Sequence, residues 1–345
     1  MNPPRHHYEA LGVKRVIAET DDSVSLVFDV PPAVADDFAY EAGQFVTLRV
    51  VIDGETHHRS YSMSSAPAVD DELQVTVKRV PGGVVSNWVC DTLAAGDVVD
   101  VSTPTGRFVL TEGDEDVVAF AGGSGITPIF SIIKEALHTT PRRISLLLAN
   151  RDRPSAIFGD ALDALAGDFP DRLVVDHHED VASGFVGPDD VARAAQRLDR
   201  AAFYICGPTG FMDIVEHTLL GDGVDPARIH IERFTPAAPA AEPTTPEPVD
   251  AADDAISVTI TVGNRTETVA QRGSSTVLES ARWAGLGAPS SCEAGHCATC
   301  MAQVVEGRVE MRKNDVLTPE EVADGWVLTC QSVPVTPVVR VVYES

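Results

Sequence analysis

Residues 8–110 alternate short apolar-rich runs with polar turns, the period of two expected of half-buried strands. Ser25 to Val30, Gln44 to Val50, Ser60 to Ser64, Leu73 to Arg79 and Val98 to Val101 predict a small antiparallel β-barrel. From Glu115 to Phe234 the pattern changes. Compact apolar strands at Val117 to Ala121, Ile144 to Ala149, Leu173 to Asp176 and Ala202 to Cys206 are each followed by a helical stretch. Those stretches are Thr127 to Leu137, Ile157 to Ala166, Pro188 to Ala195 and Phe211 to Leu219. Strand and helix in alternation predict an α/β unit built on a parallel sheet.

Thr235 to Asp254, TPAAPAAEPTTPEPVDAADD, breaks the pattern, with no aromatic and no basic side chain. It can bury too little apolar surface to fold and predicts an extended linker. Beyond it, Ile256 to Val262 and Thr266 to Val269 flank Gly263-Asn264, a hairpin signal. Thr276 to Ala284 reads as a helix, and Val338 to Tyr343 closes a small α+β domain. The expected divisions are a barrel over 8–110, an α/β unit over 111–234, a linker over 235–255 and the α+β domain over 256–345.

Cys292, Cys297, Cys300 and Cys330 give C-x4-C-x2-C and a distant fourth cysteine, the plant-type spacing for a [2Fe–2S] cluster on four thiolates. Such a centre carries one electron and makes no bonds, so the chain moves electrons between partners. The run from Cys292 to Cys300 is rich in small residues, which leaves room for backbone to curl round a cluster and aim N–H groups at its sulfurs. Trp326 to Ser332 is apolar and strand-like, suited to present Cys330 from the other side. A structural zinc on these cysteines, or on three of them with His296, is one competing reading, although zinc sites usually come in paired C-x2-C spacings. A disulfide pair is another, although nothing in the sequence indicates export. The C-x-H elements of a Rieske centre are absent.

The 345 residues, 44% of them hydrophobic, suffice for two or three cores. A formal net charge of −26 disfavours nucleic acid and anionic lipid as partners. It permits a basic protein partner, and it equally fits the solvation habit of a high-salt organism. The N-terminus lacks a basic-then-apolar leader, and no apolar run approaches the ~18 residues of a membrane span. The expectation is a soluble, cytoplasmic monomer. Cys90 and Cys206, in apolar surroundings, fit a reducing compartment.

Three further motifs carry candidate chemistry. Arg59-Ser60-Tyr61-Ser62 puts a guanidinium, a phenol and hydroxyls on one strand. A guanidinium fork can pair with two pyrophosphate oxygens, and an aromatic two residues on can pack against a flat ring. A surface arginine beside a core tyrosine is the plain alternative. Gly82 and Gly83 with Ser86 as N-cap precede the helical run Trp88 to Leu93, which predicts an anion site or a simple capped turn. Gly122-Gly123-Ser124-Gly125-Ile126-Thr127-Pro128 follows a strand and opens a helix, so phosphate can approach backbone N–H groups. Cys206-Gly207-Pro208 ends another strand at the sheet edge where α/β folds bind ligands, though Cys206 alone reads as a buried structural thiol.

In this order the motifs resemble the ferredoxin–NADP reductase superfamily. With the C-terminal plant-type ferredoxin, the chain is similar to the fused reductase components of bacterial oxygenases over nearly its whole length. The resemblance implies FAD held by Arg59, Tyr61 and Ser62, with Gly83 and Ser86 completing the phosphate site. It implies a nicotinamide dinucleotide bound by Gly122, Gly123, Gly125, Thr127 and Gly207, with Cys206 near the carbon that gives up hydride. Glu232 and Phe234 match a segment that closes over the flavin, so Cys206, Ser62 and Glu232 stand at the hydride-transfer point. Asp152 in the loop Asn150 to Arg153 favours NADH, while Arg151 and Arg153 leave NADPH open. The implied activity passes electrons from NAD(P)H through FAD and the cluster, at roughly −400 mV for plant-type centres, to a terminal oxygenase. The implied acceptor is a Rieske-type enzyme acting on a steroid. A phenylacetyl-CoA epoxidase or an aromatic-ring dioxygenase is an alternative acceptor, and a pure electron-carrier module is the non-enzymatic one.

Overall fold

Where the chain alternates apolar and polar positions it forms barrel strands. A computed structural model describes residues 8–198, 200–234, 256–290, 293, 295, 298–314 and 316–343. The chain divides into two compact units, 1–234 and 235–345. The first begins with β1 (Tyr8–Thr20), β2 (Ser23–Asp29), β3 (Phe45–Ile52), β4 (Glu55–Ser62), β5 (Gln74–Lys78), α1 (Val84–Thr92) and β6 (Val98–Ser102). The strands pair antiparallel in the order β4-β3-β6-β1-β2-β5, and a bridge between Met63 and Val75 joins the end of β4 to β5, closing the barrel. Its core takes alternate residues such as Val46, Leu48 and Val50 of β3 together with Leu11, Leu26 and Val75. Each such fully buried aliphatic side chain contributes ~1.5–3 kcal/mol of transfer free energy.

A parallel sheet follows: β7 (Asp116–Gly122), α2 (Ile126–Thr139), β8 (Ile144–Asn150), α3 (Gly159–Asp168), β9 (Leu173–Glu179), α4 (Asp180–Ser183), α5 (Pro188–Ala195), β10 (Ala201–Gly207), α6 (Thr209–Gly221) and β11 (Ile229–Arg233). The strand order is β11-β10-β7-β8-β9, all parallel. All seven residues of β8 are buried, as a central strand covered on both faces requires. Barrel and sheet are joined by polar contacts as well as packing. Ser131 Oγ on α2 donates to Ser65 O at 2.6 Å, Glu135 accepts from Ala68 N at 3.1 Å and Lys134 pairs with Asp70. On the connecting segment, Tyr204 OH accepts from Thr111 N at 2.8 Å, and Arg142 Nη2 donates to Thr111 O at 2.7 Å.

In the second unit β12 (Ser257–Val262), β13 (Arg265–Ala270), α7 (Val277–Trp283), β14 (Met301–Glu306), β15 (Val309–Met311), α8 (Pro319–Ala323), β16 (Trp326–Leu328), β17 (Ser332–Pro334) and β18 (Val338–Tyr343) form a mixed α+β domain. The main sheet runs β13-β12-β18-β14-β16, with β12 and β18 parallel. Gly263 adopts φ +54° in the hairpin turn, a left-handed conformation glycine reaches without strain. Thr276 caps α7 by accepting from Glu279 N at 3.2 Å, and Glu279 accepts in return from Thr276 N at 2.7 Å. The three-part fold expected from the sequence is the fold observed. The expected linker at 235–255 lies outside the described residues.

Candidate functional site

Arg59, Tyr61 and Ser62 occupy the second half of β4, opposite Leu48, Val46 and Phe45 of β3. Arg59 Nη1 donates to His58 O at 2.6 Å, and among the described residues no carboxylate pairs with its guanidinium. That leaves the cation available for an anionic ligand. Burial, then Arg49 and Arg59, lower the pKa of neighbouring His58 to about 4, so Arg59 is the only charge of the two at neutral pH. Burial pushes the Tyr61 phenol well above its ordinary range, so it stays protonated. Ser62 is 2% exposed and its Oγ has no hydrogen-bond partner. A buried hydroxyl without a partner costs ~1–3 kcal/mol, and a flavin ring nitrogen or carbonyl placed there would satisfy it. The donor set therefore fits FAD.

The glycine turn after β5 departs from expectation in one respect. Ser86 is not the N-cap: α1 begins at Val84, with Gly83 as its cap, and Ser86 lies inside the first turn. Its Oγ accepts from Val80 N at 3.1 Å, bracing the turn. A Cβ on Gly83 would fall 2.7 Å from that same oxygen, so the glycine is a packing requirement. The first turn of α1 still carries backbone N–H groups of the kind a phosphate site needs.

The nicotinamide motifs meet at the C-terminal edge of the parallel sheet. Strands β7 and β10 are neighbours, with Ala121 opposite Cys206, so the loops that follow them lie against each other. A Cβ on Gly125 would come within 2.6 Å of Gly207 N and closer still to the Cys206 carbonyl, and one on Gly207 within 3.0 Å of Gly122 N. These glycines let two loops touch through their backbones. Gly123 has φ +54°, and the point where its Cβ would stand is 4.0 Å from Lys78 Nζ on the barrel. Thr127 Oγ1 donates to Ser124 O at 3.0 Å, so this hydroxyl holds the loop's shape. At the end of β8, Asn150 is 7% exposed and its Oδ1 lacks a partner, an acceptor suited to a nucleotide hydroxyl or amide at this edge.

Cys206 is fully buried, and burial, with Glu232 adding to it, raises its thiol pKa well above the ordinary value. A neutral thiol is no nucleophile. Glu232 stands directly opposite Cys206 across the β10–β11 pair, and Phe234 packs on the sheet's core. Arg233 between them is fixed by Asp213 at 2.9 Å and Glu216 at 2.6 Å. In the coenzyme loop, Asp152 Oδ1 accepts from Ser155 N at 3.0 Å and Asp152 Oδ2 from Arg151 Nε at 3.0 Å. Arg153 is committed elsewhere, to Asp160 at 3.0 Å, to Asp163 and to His177.

In the second unit Cys300 and Cys330 are buried in one small cluster with Leu278, Ala298, Leu317 and Leu328. Thr329 couples their segments, its N and Oγ1 donating to Cys300 O at 3.1 and 2.9 Å. Cys330 follows the end of β16 in a turn, where the sequence suggested strand. Glu293, Gly295 and Ala298 all have positive φ, 52°, 84° and 50°, a left-handed backbone at each of these three positions. Cys292, Cys297 and His296 lie outside the described residues. The neighbouring, buried Cys300 and Cys330 fit a thiolate-held cluster. Sequence reasoning missed Ser131, Lys134 and Glu135, which fix the segment after Ser62 to α2, and it missed Arg282 and Gln331, which fix Glu293.

Comparison with known proteins assigns all three regions. Residues 11–110 match the family model of the oxidoreductase FAD-binding domain, 120–217 the oxidoreductase NAD-binding domain and 260–335 the 2Fe-2S iron-sulfur cluster binding domain. The last match disposes of the zinc reading. The ferredoxin reductase component of 3-ketosteroid-9-alpha-monooxygenase from Rhodococcus rhodochrous is 39% identical over 330 residues, 94% of this chain and 94% of its own. One component of the 1,2-phenylacetyl-CoA epoxidase from Escherichia coli (strain K12) is 32% identical over 355 residues, 98% of each chain. Among solved structures, phthalate dioxygenase reductase covers 97% of this chain and 98% of its own with a TM-score of 0.62 and 23% identity, a likeness of fold.

Proposed function

The chain belongs to the family of ferredoxin reductase components of oxygenase systems, and from that premise we propose that it delivers electrons from NADH to a Rieske-type oxygenase that hydroxylates a steroid or a similar apolar ring. The observation that carries the acceptor is the colinear 39% identity to a 3-ketosteroid-9-alpha-monooxygenase reductase component along 94% of both chains. Hydroxylation reconstituted with purified candidate oxygenases, NADH and oxygen tests it. Support of a di-iron enzyme or a cytochrome P450 alone would sink the Rieske assignment.

FAD, when bound, takes up the two electrons of a hydride and can release them singly, and a [2Fe–2S] cluster carries one at a time. The chain's own residues bind and orient. Arg59 would pair with the pyrophosphate, aided by the backbone at Gly83 and the turn braced by Ser86. Tyr61 would pack on the isoalloxazine, and the Ser62 hydroxyl would donate to it. The Gly122, Gly123 and Gly125 loop, held by Thr127, would take the dinucleotide against Gly207. The Cys206 thiol stays protonated at the transfer point with Glu232 beside it and Phe234 closing the segment. Cys292, Cys297, Cys300 and Cys330 would hold the cluster. Iron, acid-labile sulfide and flavin assays should find one FAD and one [2Fe–2S] cluster per chain, and an equivalent of zinc instead would contradict the ligand assignment.

Coenzyme choice follows from the loop after β8. Arg153 is occupied by two carboxylates and His177, and Arg151, the one other arginine there, is paired with Asp152. A 2′-phosphate would sit against the Asp152 carboxylate, which hydrogen bonds from Ser155 and Arg151 hold below the usual carboxylate range. NADH should therefore exceed NADPH in kcat/KM by about ten-fold or more, ~1.4 kcal/mol. Steady-state rates with both coenzymes check this, and a preference for NADPH would overturn it.

The domain limits 8–110, 111–234, 235–255 and 256–345 are part of the proposal, as are a cytoplasmic location, where thiolate ligands stay reduced, and a monomeric state. The charge is shared unevenly. Residues 1–234 carry 37 acidic and 19 basic side chains, whereas residues 256–345 carry 10 and 7. The part that meets the acceptor is thus close to neutral, and docking should depend only weakly on ionic strength. Among the described residues no helix is long and apolar enough to cross a membrane.

A further inference from the structure

Gln331, next in sequence to the fourth cysteine, reaches two acceptors with one amide. Its Nε2 donates to Glu293 O at 2.8 Å and to Cys330 Sγ at 3.7 Å. A side-chain amide nitrogen carries two hydrogens, so both bonds can be made at once and neither hydrogen is left over. The first bond fixes the second. Glu293 is itself held: Arg282 Nη1 donates to Glu293 Oε2 at 3.0 Å, Nη2 pairs with the other carboxylate oxygen, and Nη2 also reaches Ser290 Oγ at 3.2 Å. This two-pronged clamp from α7 holds Glu293 in its left-handed conformation. Its carbonyl then anchors the Gln331 amide with one N–H aimed at the Cys330 sulfur.

We propose that Gln331 sets the reduction potential of the cluster by donating an N–H to the Cys330 sulfur, with the Arg282–Glu293 pair as its positioning device. The inference rests on the cluster reading above. Reduction adds one electron, supplied ultimately by NADH, and places negative charge on the cluster and its ligating sulfurs. A fixed N–H dipole aimed at one of those sulfurs stabilises the reduced form more than the oxidised form and raises the potential. Cys330 is 7% exposed, so water does not readily replace the donor.

Redox titration of the full-length holoprotein, followed by the EPR signal of the reduced cluster, is the test. Gln331→Leu keeps the bulk and removes both N–H groups. It should lower the equilibrium constant for cluster reduction about three-fold or more, about 28 mV at 59 mV per ten-fold for one electron, and leave the flavin potential unchanged. A loaded variant with an unchanged midpoint overturns the proposal. Wild-type protein labelled with ¹⁵N in the glutamine side-chain amide provides a second measurement that needs no variant. Pulsed EPR should show hyperfine coupling to that nitrogen, and if Gln331→Leu fails to hold a cluster, absence of the coupling in wild type overturns the proposal. Wild-type protein with no reduced-cluster signal at all would instead refute the cluster reading, and this inference with it.

Discussion

Cys330→Ala is expected to abolish electron delivery to the oxygenase while sparing the reaction between NADH and flavin. Cys330 is buried beside Cys300, and Thr329 ties the two segments, so removing one thiolate empties a preformed ligand position. Oxygenase-coupled turnover should fall by about 100-fold or more, at least ~2.7 kcal/mol of lost transfer. Ferricyanide reduction by NADH should stay within about two-fold of wild type, because every residue proposed for FAD and NADH lies in 1–234, a unit with its own cores. Visible spectra would show flavin without the cluster absorption. Loss of both activities would contradict the modular reading.

The fold was legible where periodicity was clean. The β8 run of seven buried residues and the barrel strands with Val46, Leu48 and Val50 on one face announce themselves. Strand β1 did not, because its pairing shifts between Val13 and Arg15 and again between Ala18 and Thr20, and each bulge breaks the alternation. Strand β11 was missed because it is a five-residue edge strand with one buried position, and that position is the charged Glu232 rather than an apolar residue. At the sites, local motifs were readable and their partners were not. The Gly122 to Thr127 loop and the Cys206-Gly207 turn could be found separately, yet nothing local says that Gly125 must touch the Cys206 carbonyl. Ser131 meets Ser65 across 66 residues and Gln331 meets Glu293 across 38, contacts that only the folded topology creates. Ser86 was misassigned for a related reason. A glycine pair followed by serine suggests a serine cap, but helix α1 starts three residues earlier than that cap would place it and is capped at Gly83 instead.

Gly125→Ala should nearly eliminate reduction of the flavin by NADH and leave FAD in place. The backbone at Gly125 is ordinary, with φ −63°, so the effect is one of space alone. An added methyl would press on the Cys206 carbonyl and stand 2.6 Å from Gly207 N. Those atoms belong to β10, which is hydrogen-bonded to both β7 and β11, and they cannot yield. The loop must lift instead, and a misplacement of about 1 Å between reacting groups can cost ~100-fold. The barrel does not share this contact: Arg59, Tyr61 and Ser62 sit on β4, so flavin content and chemical reduction by dithionite should match wild type. Gly167→Ala is the control, since nothing lies within 4 Å of its added methyl and the change falls on the open face of α3. Stopped-flow bleaching of the flavin by NADH separates the two variants. Normal bleaching in Gly125→Ala would refute the assignment of this crevice to the dinucleotide, and loss of FAD from it would show that the loop shapes the flavin site as well.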